Sequence, residues 1–112
     1  MSTLKSIDAK TASEWLRKKE AFLIDVREPE EYRAMHIPGA YLIPVHSMDI
    51  KKLPPESLHK KIIVHCKLGK RGSMACKKLL NDNPNLDVYN IEGGIDQWKQ
   101  CGLPVNEHPV KQ

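Results

Sequence analysis

The sequence predicts an α/β domain in three layers, with helices on both faces of a small, mostly parallel central sheet. Three observations carry that expectation. Apolar runs at 21–26, 61–65 and 86–91 are short and bounded by polar or turn residues, and they read as buried strands. Helix-period patterns lie between them, and such alternation marks crossovers between parallel strands. The run at 61–65 leads into "CKLGKRG" (66–72) and then at once into a helical pattern. In open parallel sheets such strand–turn–helix junctions are where ligands bind.

The elements follow in order. "LKSI" (4–7) is a short edge strand. Asp8 caps a helix over 9–19, with Ala12, Trp15, Leu16 and Lys19 on one face. "AFLIDV" (21–26) is a buried parallel strand. "REPEEYRAM" (27–35) starts a short helix with Pro29 in its first turn, where the missing N–H costs nothing. "HIPGA" (36–40) is a loop, because Pro38-Gly39 is a strong turn signal. "YLIP" (41–44) is another short strand, and 46–60, with Pro54 and Pro55, is a looser helical or turn segment. "KIIVH" (61–65) is the β-branched central strand. The next helix runs over 72–82, with Ala75, Cys76 and Leu79 inside, Leu80 at the edge, and Lys77 and Lys78 outside. "LDVYNI" (86–91) is the last strand. "GGIDQW" carries a short helix, and Gly102-Leu103-Pro104 ends the regular structure.

The 112 residues suit one domain, taken as 1–112, and 40% hydrophobic with 29% charged residues describes an ordinary globular chain. The net charge of +4 is mild, and with six aromatic residues in all it does not suggest a nucleic-acid partner. No stretch approaches the roughly 20 apolar residues of a membrane helix. "MSTLKSIDAK" lacks the apolar region of a signal peptide, so a cytoplasmic location is expected, with no membrane partner. Cys66, Cys76 and Cys101 are odd in number and form no CxxC pair, and the five histidines are scattered. Neither a disulfide framework nor a metal site is expected.

Cys66 is the candidate nucleophile. It stands at the carboxyl end of the central strand, where backbone N–H groups of a tight turn form an anion nest and a helix N-terminus adds unpaired donors. Lys67, Lys70 and Arg71 add full charges, and Gly69 and Gly72 let the backbone curl around the centre. All of these favour an anionic sulfur over a thiol. An inert cysteine would prefer apolar surroundings, which is the expectation for Cys76 on the inner helix face. Cys101 reads as a bystander, with a resolving disulfide to Cys66 the other option for either thiol. Asp25 is expected to hold neighbouring loops through backbone N–H groups, and Arg27 to pair with Glu28, Glu31 or an incoming anion. Both are read as bracing residues. His65, one residue before Cys66, should point to the other side of the sheet and is not taken as a base. His36 is expected to hydrogen-bond within its loop.

Four segments carry a resemblance. "DVREPEEY" (25–32), "HIPGAYLIP" (36–44), "CKLGKR" (66–71) and "GGIDQWKQCGLPV" (93–105) resemble, in order and spacing, the signatures of single-domain rhodanese-like sulfurtransferases. The resemblance spans nearly the whole chain. It implies a rhodanese-like fold and a thiosulfate sulfurtransferase that needs no cofactor. Cys66 would take the outer sulfur of a small anionic donor such as thiosulfate as a persulfide. It would then pass that sulfur to cyanide, a thiol or an acceptor protein. The backbone N–H groups of Lys67, Leu68, Gly69, Lys70, Arg71 and Gly72 would cradle the sulfur, and the side chains of Lys67, Lys70 and Arg71 would orient the donor. One position departs from the family pattern: Gly72 stands where serine is frequent, with Ser73 one residue later.

Two rival functions remain at this stage. Cysteine-based phosphatases and arsenate reductases of the same fold also carry a pattern resembling His65-Cys66 and Arg71-Gly72. Their loop is C-x5-R, whereas this one is C-x4-R, and "KLGK" supplies no acid to protonate a leaving alkoxide. A non-catalytic rhodanese-like binding module is the second rival, and the presence of Cys66 argues against it.

Overall fold

The computed structural model describes residues 5–107. Leu4, the start of the first expected strand, lies outside them, as do the two ends of the expected 1–112 domain. Five strands make the main sheet: β1 (Lys5–Ile7), β2 (Ala21–Asp25), β4 (Tyr41–Leu42), β5 (Lys61–His65) and β6 (Val88–Ile91). Their order is β1-β6-β5-β2-β4, and every pairing is parallel. Two further strands, β3 (Met35–His36) and β7 (Asn106–Glu107), form a separate antiparallel pair. The helices are α1 (Ala9–Arg17), α2 (Pro29–Ala34), α3 (Lys70–Asp82) and α4 (Gly94–Gln100).

The layers follow from the alternation of side chains along β5. Ile62, Val64 and Cys66 face one side, where Ala75, Cys76, Leu79 and Leu80 of α3 cover them together with Met48 and Leu53. Ile63 faces the other side, where it joins Ala9 and Ala12 of α1 and Ile95 and Trp98 of α4. Each side of the sheet thus carries its own apolar core, so the expected three layers are present. Among the described residues no helix is long and apolar enough to cross a membrane.

Local chemistry moved several boundaries. Asp8 does cap α1, accepting the Thr11 N–H at 2.7 Å. The helix nevertheless ends at Arg17, because Lys19 turns to φ 60° and the N–H groups of Lys19 and Glu20 fold back onto Leu16 and Trp15. Lys19 therefore lies in the turn rather than on the helical face. The expected strand at 41–44 is regular only over Tyr41–Leu42. Beyond it, Ile43 and Val45 still donate to the carbonyls of Asp25 and Val26, while Pro44 between them has no N–H to give. Part of the expected loop at 36–40 is strand, since β3 pairs with β7. The segment at 46–60 consists of three 3-10 turns, Val45–Ser47, Ile50–Lys52 and Pro55–His59. Helix α3 begins two residues earlier than expected. Gly69, at φ 117°, turns the chain directly from the loop into Lys70.

Candidate active site

Parallel register brings the carboxyl ends of β2 and β5 together, with Asp25 opposite His65. Cys66 follows immediately and is only 1% exposed, so its sulfur lies at the floor of the 66–70 loop. The Gly69 N–H donates to Cys66 Sγ at 3.0 Å. The carbonyls of the turn are tied from behind. Ile95 N–H holds Cys66 O at 2.8 Å, Asp96 N–H holds Lys67 O at 3.2 Å, and Gly69 O accepts from Asn90 Nδ2 and from Ser73 N–H, each at 3.0 Å. Among the described residues nothing accepts from the N–H groups of Leu68, Lys70, Arg71 or Gly72. The loop thus presents free donors at the start of a helix, while the carbonyls of Cys66, Lys67 and Gly69 are already engaged.

Two glycines permit this packing. A Cβ on Gly94 would lie 2.4 Å from the carbonyl oxygens of both Cys66 and Lys67, and Gly94 has φ 57°. The bare backbone is what lets the start of α4 press against the loop. A Cβ on Gly72 would lie 2.2 Å from Asn90 Oδ1. At the position where the resemblance led to the expectation of serine, this chain gives the space to an asparagine reaching over from β6. Asn90 and Gly94 were missed by sequence reasoning. The Gly93-Gly94 pair was a visible signal, whereas nothing near Asn90 in sequence connects it with the loop.

The cations of the loop are placed unequally. Arg71 forks onto Glu31, Nη1 to Oε1 at 2.6 Å and Nη2 to Oε2 at 2.9 Å. Glu31 Oε1 also accepts the Glu28 N–H at the start of α2. The Arg71 guanidinium, helped by that N–H, holds the Glu31 carboxyl down at about 2, and Glu31 in turn raises the Arg71 pKa. Lys67 pairs with Asp96 of α4 at 3.1 Å. Lys70 is exposed and, among the described residues, has no carboxylate partner. The loop is therefore not a knot of three unpaired cations. Two of them clamp it to α2 and α4, and one is left toward solvent. Leu68 is 66% exposed, so its side chain points away and only its backbone belongs to the turn.

Asp25 and Arg27 form a buried pair beneath the site. Arg27 Nε and Nη2 meet the Asp25 carboxylate at 3.0 and 2.8 Å, its own N–H adds a bond at 3.0 Å, and Nη2 also reaches Met35 O at 2.6 Å. Arg27 therefore pairs with Asp25 rather than with the Glu28, Glu31 or incoming anion named as its partners. A carboxylate fixed two residues earlier in a buried strand outcompetes solvent-facing ones on the next helix. His65 lies against Asp25 Oδ2 at 3.5 Å. Burial pushes its pKa down, partly opposed by the Asp25 charge. His36 Nδ1 lies 3.0 Å from the Tyr32 carbonyl of α2, with the two rings stacked, and its Nε2 lies 3.5 Å from Asn106 Nδ2. Cys76 is fully buried under α3, and desolvation, with the Cys66 charge adding, pushes its thiol up to about 12.

Residues 8–101 match the family model described as a rhodanese-like domain. A protein of Synechocystis is 31% identical over 99 residues, which are 88% of this chain and 54% of that protein, so the chain spans about half its length. The thiosulfate sulfurtransferase GlpE of Vibrio cholerae is 27% identical over 99 residues, 88% of this chain and 92% of that one. Among solved structures, a rhodanese-related protein of Thermoplasma volcanium superposes with a TM-score of 0.78 at 32% identity, covering 91% of this chain and 97% of that one.

Proposed function

The chain belongs to the rhodanese-like domain family, and from that premise we propose that it is a sulfurtransferase working through a persulfide on Cys66. The observation that supports this reading best is the bond from Gly69 N–H to Cys66 Sγ, inside a turn where, among the described residues, the N–H groups of Leu68, Lys70, Arg71 and Gly72 have no acceptor and the carbonyls of Cys66, Lys67 and Gly69 are tied away. Such a nest suits a sulfur anion and the terminal sulfur of a persulfide.

The Cys66 thiolate attacks the outer sulfur of thiosulfate, a new S–S bond forms, the old one breaks, and sulfite leaves with its electron pair. The persulfide anion that remains is held by the donors of residues 67–72. Cyanide or a thiolate then attacks its outer sulfur. Thiocyanate or a new persulfide departs, and Cys66 returns as thiolate. Lys70 attracts the dianionic donor, while Arg71–Glu31, Lys67–Asp96 and Asp25–Arg27 keep the loop in shape. Because Cys66 lies on the floor, a donor with a single protruding sulfur fits better than a bulky tetrahedral group. The four residues between Cys66 and Arg71 argue the same way against phosphoryl transfer. So does the engagement of the nearby carboxylates Glu31 and Asp96 with cations, which leaves neither to protonate an alkoxide.

The test is the intact mass of the protein after thiosulfate. Wild type should gain one sulfur atom and lose it to cyanide as thiocyanate. Cys66→Ser should do neither, while Cys76→Ala and Cys101→Ser should do both. Sulfur uptake surviving in Cys66→Ser would remove the reading.

A further inference from the structure

Resting on the sulfurtransferase reading, we propose that the outward face of α3 is the docking surface for a protein acceptor that carries its thiol beside an acidic patch. Lys70, Met74, Lys77 and Lys78 fall on one side of the helix at spacings of three and four, and all four are exposed. Leu68 precedes them at the loop. Of the four large hydrophobic side chains that stand exposed among the described residues, two are here, Leu68 at 66% and Met74 at 54%. The other face of the same helix is fully used, packing Ala75, Cys76, Leu79 and Leu80 into the core.

Charge selects the occupant. Residues 67–81, the loop and the helix up to its last residue, contain five Lys and Arg, and Asp82 is the first acidic residue. Among the described residues Lys70, Lys77 and Lys78 have no carboxylate partner, whereas Lys67 and Arg71 at the loop do. Lys77 and Lys78 lie roughly 11 Å along the helix from Lys70 at about 1.5 Å per residue, too far to touch a small anion at Cys66. Their charge meets something larger, which reaches from the mouth of the site along two turns of helix. Two apolar side chains within a basic rim match a protein surface of opposite charge. The face carries no aromatic residue and no unpaired arginine, which a nucleic-acid strand would use. In the transfer step the acceptor thiolate attacks the outer sulfur of the Cys66 persulfide. The S–S bond breaks, and Cys66 leaves as thiolate while the acceptor becomes the persulfide.

The probes are three thiol peptides of equal length, with one cysteine flanked by glutamates, by serines or by lysines. Protein loaded with thiosulfate and freed of excess donor is mixed with each, and sulfur transfer is followed by mass. At low ionic strength the glutamate peptide should react about tenfold faster than the serine peptide, since several weak exposed pairs act together, and the lysine peptide slower still. The double variant Lys77→Glu, Lys78→Glu should erase or reverse that preference, and Met74→Ser should slow the glutamate peptide. Both variants should keep wild-type transfer to cyanide, which shows that fold and loop are intact. Equal rates for the three peptides, or a preference that survives the double variant, would overturn the proposal. So would an oligonucleotide that blocks the glutamate peptide at lower concentration than oligoglutamate does. Failure of wild type to load sulfur is a distinct result: it removes the sulfurtransferase reading and this proposal with it.

Discussion

Asn90 and Gly72 are complementary in shape. The asparagine side chain occupies the volume that any side chain at position 72 would need, with Oδ1 only 2.2 Å from where a Cβ would stand. Its Nδ2 holds Gly69 O at 3.0 Å, while its Oδ1 is buried with no hydrogen-bond partner. Two positions that are 18 apart in sequence are therefore coupled at the loop.

The coupling fixes the sign of a double-mutant cycle. Gly72→Ala alone should destabilise by about 1–3 kcal/mol through overpacking and should lower sulfur transfer. In an Asn90→Ala background the clash is gone, and the same change should stabilise by about 0.5–1 kcal/mol, the ordinary preference of a helix for alanine. Urea unfolding of the four proteins measures this. Additive effects would mean that the two side chains do not share the space.

Gly94→Ala tests the contact between α4 and the loop. The new methyl meets two carbonyl oxygens at 2.4 Å, at a residue with φ 57°. The N–H bonds from Ile95 and Asp96 should be lost together, and sulfur transfer should fall by about a hundredfold, mostly in kcat, because the donors no longer converge. Gly102→Ala, also at positive φ but with nothing within 4 Å, is the control for backbone strain without the clash.

Glu31 gives an acid limb to stability. Its folded pKa, about 2, lies below its ordinary 4.5, so the unfolded chain binds a proton first. The Arg71–Glu31 contribution is complete above about pH 4.5 and is lost as pH falls from there to about 2. The stability difference between wild type and Glu31→Gln should be constant above pH 5 and should shrink through that window. A difference unchanged down to pH 2.5 would contradict the pairing.

His65 acts at milder pH. Burial lowers its pKa below 6.5, so the unfolded state takes up a proton that the folded state refuses. Stability due to this group is present above pH 6.5 and declines as pH falls below it, with a slope of at most about 1.4 kcal/mol per pH unit for one proton. His65→Gln should flatten the pH dependence of the unfolding midpoint between pH 6.5 and 5, whatever its own cost. An identical slope in the variant would show that His65 takes up its proton as readily in the folded protein as in the unfolded chain, against the burial effect.

Much of this arrangement is legible in the sequence. The apolar run at 61–65 places Cys66 at a strand end, and the glycines on either side of Lys70 announce the tight turn. Periodicity tells Cys76 from Cys66 as well, since it puts Cys76 on the inner face of a helix. What the sequence does not show is partnership between distant residues. Arg71 meets Glu31 and Lys67 meets Asp96 only because α2 and α4 converge on the loop from opposite flanks. Local reasoning therefore assigns all three cations to an incoming donor, where the fold pairs two of them with carboxylates. Asn90 is hidden for the same reason: in β6 it looks like any polar residue at the end of a strand.

Helix α3 has its charges in the order its dipole disfavours, Lys70 and Arg71 in the first turn and Asp82 in the last. That order puts an electrostatic cost at the mouth of the site, and an anion bound there would relieve it. Occupancy and fold stability become linked quantities. A donor bound at a hundred times its dissociation constant would add about 2.7 kcal/mol to the folded state. The persulfide, which cannot diffuse away, would keep its share of that gain for its whole lifetime. On the proposed mechanism, fold stability would therefore rise as sulfur is loaded onto Cys66 and fall as it is delivered. Sulfur delivery would then be legible as a drop in the unfolding midpoint, with no change in the contacts that hold the loop to α2 and α4.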